Sequence, residues 1–426
     1  MCGITGIIEK KRGIFKDRQG TLKIMTDAIR HRGPDDEAFF NSEVCSLGMR
    51  RLAILDLTPG LYPFSNKSKT VQLVFNGEIY NYPDLKKELE VHGYKFLTHC
   101  DGEAIVHGYD LWGTNVFTHL RGMFAIALWD EKEKKLVVAR DRIGIKPVYF
   151  INNSEYFAFA SEVKSFIAAR NTNESPISLS LDTEQVQNLI GFMFLPESGK
   201  TIISEVKKLE PGCFMEITKD KTSVVKYWSI NNVKKSEAVS YDQAVTELDN
   251  LLTDVVSNHL LSDVPLGLML SGGVDSGLLA AIMTKKLGVE THSYTARFDH
   301  ASNESNLAKE TAAYLGTIHK DFFIDVSDIN NNIDDYIKVF DDLTTFDGGL
   351  ITTSILAKII QKEGIKVLLL GEGADELFGG YSWFGLSQLP FSLLPKPVRD
   401  SIYYYAISRN YSFNFLHYSG YWSKKY

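Results

Sequence analysis

Two architectures in series are predicted for this 426-residue chain: an α+β layered sandwich followed by an α/β parallel-sheet unit. Three observations carry the expectation. At roughly 150 residues per domain the length suits two or three domains. Up to about residue 228, short apolar or alternating runs are punctuated by glycine-rich turns and few helices, as in packed sheets. Beyond about residue 240 long amphipathic helices alternate with short continuous apolar runs, the pattern of a sheet covered on both faces.

In chain order, strands are expected over 47–56, 71–75, 124–129, 136–139, 148–151 and 156–160. Helices are expected over 22–29, 85–90 and 103–111, where apolar residues recur three and four apart, with Asp101 as a candidate cap. The stretch 229–240, with Asn231, Asn232, Lys234, Lys235 and Glu237, has little periodic apolar content and reads as a linker. It separates a domain over 2–228 from one over 241–426. In the second, the expected order is helix 241–261, strand 265–270, helix 277–287, strand 291–297, helix 303–315, strand 321–324, helix 350–363 and strand 366–370.

Composition narrows the function classes. Hydrophobic residues make up 44% and charged residues 23%, ordinary globular usage. A net charge of −7 without a dense basic run leaves no footprint for nucleic acid or an anionic membrane. Four cysteines, tens of residues apart and without C-x-x-C, argue against zinc or a disulfide framework. No secretory leader or membrane-spanning run is apparent, and the chain reads as cytoplasmic.

Cys2 becomes the first residue once Met1 is removed, placing a thiol nucleophile and a free α-amine base on one residue. Around it stand His31-Arg32-Gly33-Pro34-Asp35, Arg51, Asn76-Gly77-Glu78-Ile79-Tyr80-Asn81 after an apolar run, Asp101, Arg121 to Ala125 and Arg140 to Pro147. These residues resemble the glutaminase domain of the amino-terminal-nucleophile amidotransferases, specifically that of asparagine synthetase. The resemblance implies that Cys2 attacks the glutamine amide while Asn76 and the Gly77 N–H hold the oxyanion. It also implies that Arg51 pairs with the substrate α-carboxylate and that Glu78 and Asp101 take the α-ammonium. The chemistry suits the types: an oxyanion needs preorganised donors, a carboxylate a guanidinium, an ammonium acids. Singly, Arg51 could be a surface ion pair and Asn76-Gly77 a hairpin turn. A thiol-protease pairing of Cys2 with His31 or His99 has no supporting signature.

In the second half, Ser271-Gly272-Gly273-Val274-Asp275-Ser276-Gly277 stands between an apolar run and a helix, an anion cradle without the lysine of a Walker loop. Gly371-Glu372-Gly373-Ala374-Asp375-Glu376 follows another strand end, and three acids in five residues call for a cation. The two loops resemble the pyrophosphate-loop synthetase domain of asparagine synthetase, an ATP pyrophosphatase fold. By that resemblance Asp275 and Asp375 hold Mg2+, and Ser271, Gly272, Gly273 and Ser276 cradle phosphate. Leu270, Ala296, Leu370 and Gly371 line ATP, and Glu372 assists at the acyl-adenylate. The implied function is glutamine-dependent asparagine synthesis from aspartate and ATP. The alternatives are a related enzyme amidating a sugar acid or other carboxylate, and a remnant with glutaminase activity only. Homodimer formation is left open.

Two departures from the family pattern bear on these expectations. The stretch Thr345-Phe346-Asp347-Gly348-Gly349-Leu350 lacks the arginine of a Thr-Thr-x-Arg substrate segment. The family's later Arg-Val-Pro-Phe-Leu-Asp motif and phosphate-facing lysine are not found before Tyr426, so the chain reads as truncated at its carboxyl end. Its last stretch is instead densely aromatic, from Phe384 to Tyr426.

Overall fold

A computed structural model of the chain describes residues 1–192, 194–233, 239–298, 304–341, 348–381 and 395–398. Residues 342–347, with Asp347, and the aromatic tail lie outside the described residues, as does the middle of the expected linker.

The first half runs β1 (Gly3–Glu9), α1 (Arg18–Asp27), β2 (Asp36–Asn41), β3 (Cys45–Arg51), β4 (Phe64–Ser65), β5 (Val71–Ile79), α2 (Tyr82–Val91), α3 (Asp101–Trp112) and α4 (Val116–His119). It continues with β6 (Gly122–Asp130), β7 (Lys135–Arg140), β8 (Tyr149–Asn152), β9 (Tyr156–Ala160), α5 (Lys164–Arg170), α6 (Thr183–Phe192), β10 (Lys207–Lys208), β11 (Cys213–Ile217) and β12 (Thr222–Lys226). Two antiparallel sheets result, ordered β10-β8-β9-β1-β3-β2 and β12-β11-β7-β6-β5-β4.

The sheets face one another through Ile4, Ile8, Met49, Phe157 and Phe159 on one side and Val74, Ala125, Ala127 and Trp129 on the other. The outer face of the first sheet carries Ile7, Ala158 and Ala160 against Leu22, Met25 and Phe166 of α1 and α5. The outer face of the second carries Phe75, Phe124 and Ile126 against Leu85, Leu89 and Ile105 of α2 and α3. Helices therefore cover a double sheet on both sides. With both faces buried, strands read as continuous apolar runs and the alternation of side chains decides only which core each residue joins.

Several expected boundaries move. β1 was not among the expected strands, yet it lies in the middle of its sheet, where Gly6 leaves room for the Phe159 ring: a Cβ would stand 2.1 Å from it. β5 runs on through Ile79, so Asn76-Gly77 is strand paired with Ala125 and Phe124 rather than a turn. The strand expected over 47–56 ends at Arg51, and Asp56 turns the chain at φ 52°. Asp101 does not cap α3; Cys100 is the N-cap residue, and the Asp101 carboxylate instead takes the Ile79 N–H at 2.8 Å.

The second unit runs α7 (Tyr241–His259), β13 (Leu266–Met269), α8 (Val274–Ala281) with a π turn over Ile282–Lys286, β14 (His292–Arg297), α9 (Glu304–Leu315) and β15 (Ile318–Phe323). Then follow α10 (Val326–Val339), α11 (Gly348–Lys362), β16 (Val367–Leu369) and α12 (Ala374–Phe378). Its strands are parallel in the order β15-β14-β13-β16. Val256, Ala280, Ala308 and Ala312 pack on one face, and Ile355, Leu356 and Ile360 on the other, a doubly wound arrangement. No helix among the described residues is long and apolar enough to cross a membrane.

The Arg140 to Pro147 segment is a loop built around Asp141, which is fully buried. Its carboxylate accepts the N–H groups of Gly144 (2.7 Å), Ile145 (2.9 Å), Lys146 (2.9 Å) and Phe124 (3.2 Å). Arg140 closes the loop from outside by donating to the carbonyls of Gly144, Lys146 and Leu209. Because Asp141→Ala strands the buried N–H groups of Phe124 and Lys146, it should cost about 3 kcal/mol or more in urea unfolding. A loss below about 1 kcal/mol would contradict this account of the loop.

Candidate active sites

Cys2 immediately precedes β1, which is paired with β3 on one side (Gly3 with Arg50) and β9 on the other (Thr5 with Ala160). Cys45, Cys100 and Cys213 are buried, whereas Cys2 is partly open. The backbone of Leu52 seats its thiol: Sγ accepts the Leu52 N–H at 3.3 Å and faces the Leu52 carbonyl at 3.6 Å. Burial pushes the thiol pKa up, so a base must take its proton.

Arg51, the last residue of β3, is buried, and the turn that follows it wraps its guanidinium. The carbonyls of Thr58 (2.6 Å), Leu55 (3.1 Å) and Asp56 accept from it, and the Tyr62 ring centre lies 5.5 Å away. Among the described residues it has no carboxylate partner, an arrangement suited to an incoming carboxylate.

Glu78 and Asp101 form an acidic counterpart. Asp101 is pushed up to about 6 by burial, although the N–H of Ile79 and the Cys100 thiol oppose the shift. Glu78 is held well above the usual carboxylate range, chiefly by burial and then by the Asp101 charge. Two buried carboxyls that cannot both ionise cheaply make a receptor for an ammonium.

Asn76 sits two residues before Glu78 on β5. Val74 faces the first sheet, so Asn76 and Glu78 project from that same face, the one against which Cys2 packs. The Asn76 amide is fully buried, and neither its nitrogen nor its oxygen has a hydrogen-bond partner among the described residues. An amide buried in that state is costly unless a ligand completes it. At Gly77 the ladder is open. The partner Phe124 spends its own N–H and carbonyl on Asp141, and Ile79, two residues on, sends its N–H away from β6 to Asp101. Alternation along the strand turns the Gly77 N–H the same way. A Cβ on Gly77 would stand 2.1 Å from the Met123 carbonyl, so strand approach also demands glycine.

The histidines take other parts. His31 meets Glu162 at 3.0 Å, and His99 donates its backbone N–H to Asp56. Three residues not among the expected site residues surround the nucleophile. Arg32 donates to the Cys2 carbonyl at 2.8 Å, Glu162 pairs with Arg32 at 2.7 Å, and the buried Lys146 ammonium lies 2.9 Å from the Met1 sulfur. Arg32 and Lys146 fall inside motifs visible in the sequence; Glu162 had no local signal.

The second cluster lies at the carboxyl edge of the parallel sheet. Leu270, Ala296 and Leu370 end or follow three neighbouring strands, β13, β14 and β16. Ser271 and Ser276 join their hydroxyls at 2.9 Å, and the Ser271 hydroxyl accepts the Gly273 N–H at 3.1 Å, folding the loop over the start of α8. Gly273 caps α8 without a side-chain bond, so the first N–H groups of that helix have no side-chain cap. Gly272 fits because a Cβ would come within 2.9 Å of the Glu304 carbonyl, and at Gly371 a Cβ would stand 3.0 Å from that of Asp275, so the loops touch. Glu372 is exposed on the second loop, and Asp375 opens α12. Among the described residues no group of three or more His, Cys, Asp or Glu could hold a metal. Asp275 lies in the first turn of α8 and Asp375 in that of α12, one on each loop.

Residues 1–228 match the glutamine amidotransferase domain family, and 247–417 match the asparagine synthase family. A relative provisionally named asparagine synthetase [glutamine-hydrolyzing] 2, from Methanocaldococcus jannaschii, is 31% identical over 89% of this chain and 76% of its own length. The chain belongs to the glutamine-hydrolysing asparagine synthetase family. Two Bacillus subtilis synthetases of that family, numbered 1 and 3, are 35% and 32% identical over 95% and 90% of this chain. The chain spans 63% and 64% of their lengths.

For this member of the asparagine synthetase family, the carboxyl pair makes a pH dependence. An unfolded carboxyl titrates near about pH 4, whereas folded Asp101 titrates at about 6 and Glu78 well above its usual value. The folded protein therefore holds more protons here, and the stability present at low pH is lost as pH rises through the folded values. Glu78→Gln should raise the melting temperature by an increment that grows between about pH 4 and about pH 7. An increment independent of pH would contradict the assignment.

Proposed function

We propose that this chain is a glutamine-dependent asparagine synthetase. It hydrolyses glutamine at Cys2 and passes the ammonia to a β-aspartyl adenylate made from ATP and aspartate, giving asparagine, AMP and pyrophosphate. The observation that carries the first half is Arg51, a buried guanidinium without a salt-bridged carboxylate among the described residues, set with an acidic pair and an amide unpartnered among those residues around Cys2, the one partly open cysteine.

Glutamine enters with its α-carboxylate on Arg51 and its α-ammonium on Glu78 and Asp101. With Met1 removed, the amine of Cys2 takes the thiol proton, and the thiolate attacks the amide carbon. With Met1 in place, burial pushes the Met1 amine down to about 6, with Arg32 and Lys146 adding to the effect. An α-amine on Cys2, ordinarily about 7.7, is already largely able to accept a proton near neutrality, and neighbouring cations favour its free-base form. Asn76 and the Gly77 N–H take the oxyanion, the nitrogen leaves as ammonia with a proton returned by the amine, and water then cleaves the thioester.

In the second unit the loop of Ser271, Gly272, Gly273 and Ser276, with the start of α8, receives phosphate, and Leu270, Ala296, Leu370 and Gly371 border the nucleotide. Glu372 stands beside the reacting acyl group. Asp275 and Asp375 hold Mg2+, which when bound offsets charge on the phosphates. Domains over 2–228 and 241–426 thus divide the two chemistries. Exclusion of water keeps ammonia unprotonated between them.

Cys2→Ala should abolish glutamate release by the full chain while sparing ammonia-driven, ATP-dependent amide formation, and retention of Met1 should do the same because the base becomes an amide. Undiminished glutamate release from Cys2→Ala would refute the nucleophile. Asp275→Asn should weaken Mg-ATP binding about tenfold or more in calorimetry with glutaminase turnover little changed, since a full charge leaves the metal shell. Equal binding by the variant and parent would refute the metal role.

A further inference from the structure

The Arg32 guanidinium that holds the Cys2 carbonyl is itself held by Glu162, and this contact is not local: the two residues lie on opposite sides of the first domain's sequence. Glu162 is 8% exposed and gathers three cationic or ionisable partners: Arg32 at 2.7 Å, His31 at 3.0 Å and Lys164. Against the cost of burial, those partners pull its carboxyl down to about 2, so it is charged at any working pH. Lys164 reaches onward to Asp341 at 3.2 Å, and the other oxygen of Asp341 accepts the Val163 N–H at 2.7 Å. Asp341 belongs to the second unit, two residues beyond the end of α10. An unbroken chain of contacts therefore runs from the nucleophile's own carbonyl through Arg32, Glu162 and Lys164 to the second unit.

Its members are mostly buried, with side-chain exposures of 9% for Arg32, 20% for Lys164 and 10% for Asp341. That separates it from an exposed link between the units, Arg121–Asp254, whose partners are 43% and 53% exposed and contribute little. Further links join Lys366 to Asp35 at 2.7 Å and the Asp56 N–H to Asp263 at 2.7 Å. Breaking a buried pair leaves an uncompensated charge that must move toward water, and a guanidinium that moves takes its grip on the Cys2 peptide with it.

We propose that Glu162 is a positioning residue for Cys2, acting through Arg32, and that Asp341 of the second unit anchors it. Glutamine turnover then depends on how the second unit is seated. The inference rests on the glutaminase reading of Cys2. It leaves the substrate-holding groups Arg51, Glu78 and Asp101 untouched, so the effect falls on kcat and not on KM, and a displaced nucleophile is costly even when the shift is small.

The test is steady-state glutamate release by the full chain, normalised to the titre of alkylatable Cys2 so that misfolded protein is not counted. Glu162→Gln should lower kcat about tenfold with KM for glutamine changed less than about threefold. Asp341→Asn, a milder change in the other unit, should lower kcat about threefold in the same pattern. Asp254→Asn, which breaks the exposed link, should leave both constants within about twofold of the parent. An unchanged normalised kcat in Glu162→Gln would overturn the proposal, as would an equal fall in Asp254→Asn, which would show that any loosening of the units suffices. No glutamate release by the parent with Met1 removed would overturn the glutaminase reading and this inference with it; an active parent with unaffected variants overturns this inference alone.

Discussion

The placement of Cys2 depends on one constraint: the strand it leads is paired on both sides. β1 hydrogen-bonds β3 and β9, and both of its faces are buried, one against the opposing sheet and one against α1 and α5. Such a strand cannot slip by one residue without turning Ile4, Ile7 and Ile8 to the wrong cores, so its register is strongly specified. Cys2 inherits that register. Its thiol lands on the backbone of Leu52, beside the Arg51 that β3 carries in the same sheet.

The polar groups of the site are arranged by the same economy. Among the described residues Arg51 donates only to carbonyls, the Asn76 amide has no hydrogen-bond partner, and Glu78 and Asp101 resist joint ionisation. Each is a costly arrangement for the polypeptide alone, and under the proposed reading each meets one end or the middle of an amino-acid amide. A pocket that holds such groups gives up stability for binding. The second sheet solves a different problem: its parallel strands end together, bringing two glycine-rich loops into contact, with Gly371 against Asp275.

Residues whose roles are written locally were legible in the sequence. The Ser271 to Gly277 loop stands out because strand, glycine turn and helix start are consecutive, and Cys2 because its position makes it chemically unusual. Element boundaries were less so. β1 was hidden by its two glycines, and the strand expected over 71–75 runs on through Ile79 because pairing with β6 continues past Asn76-Gly77, which taken singly could be a hairpin turn. Asp101 looked like a cap because helix starts favour aspartate, but its carboxylate is drawn across to Ile79. Glu162 was invisible for a plainer reason. Its partner Arg32, and the Asp341 that Lys164 reaches at the far end of the network, lie far away in sequence on either side, and a buried ion network has no periodicity to betray it.

The chemistry assigned to the nucleophile can be caught directly. The 426-residue chain with Met1 removed would be mixed with glutamine, quenched in acid during turnover and mapped by peptide mass spectrometry. A γ-glutamyl group on the peptide that begins with Cys2, absent when glutamate replaces glutamine, is the expected result. Glutamate release with the label on another residue, or with no covalent intermediate under conditions that trap thioesters, would contradict the assignment.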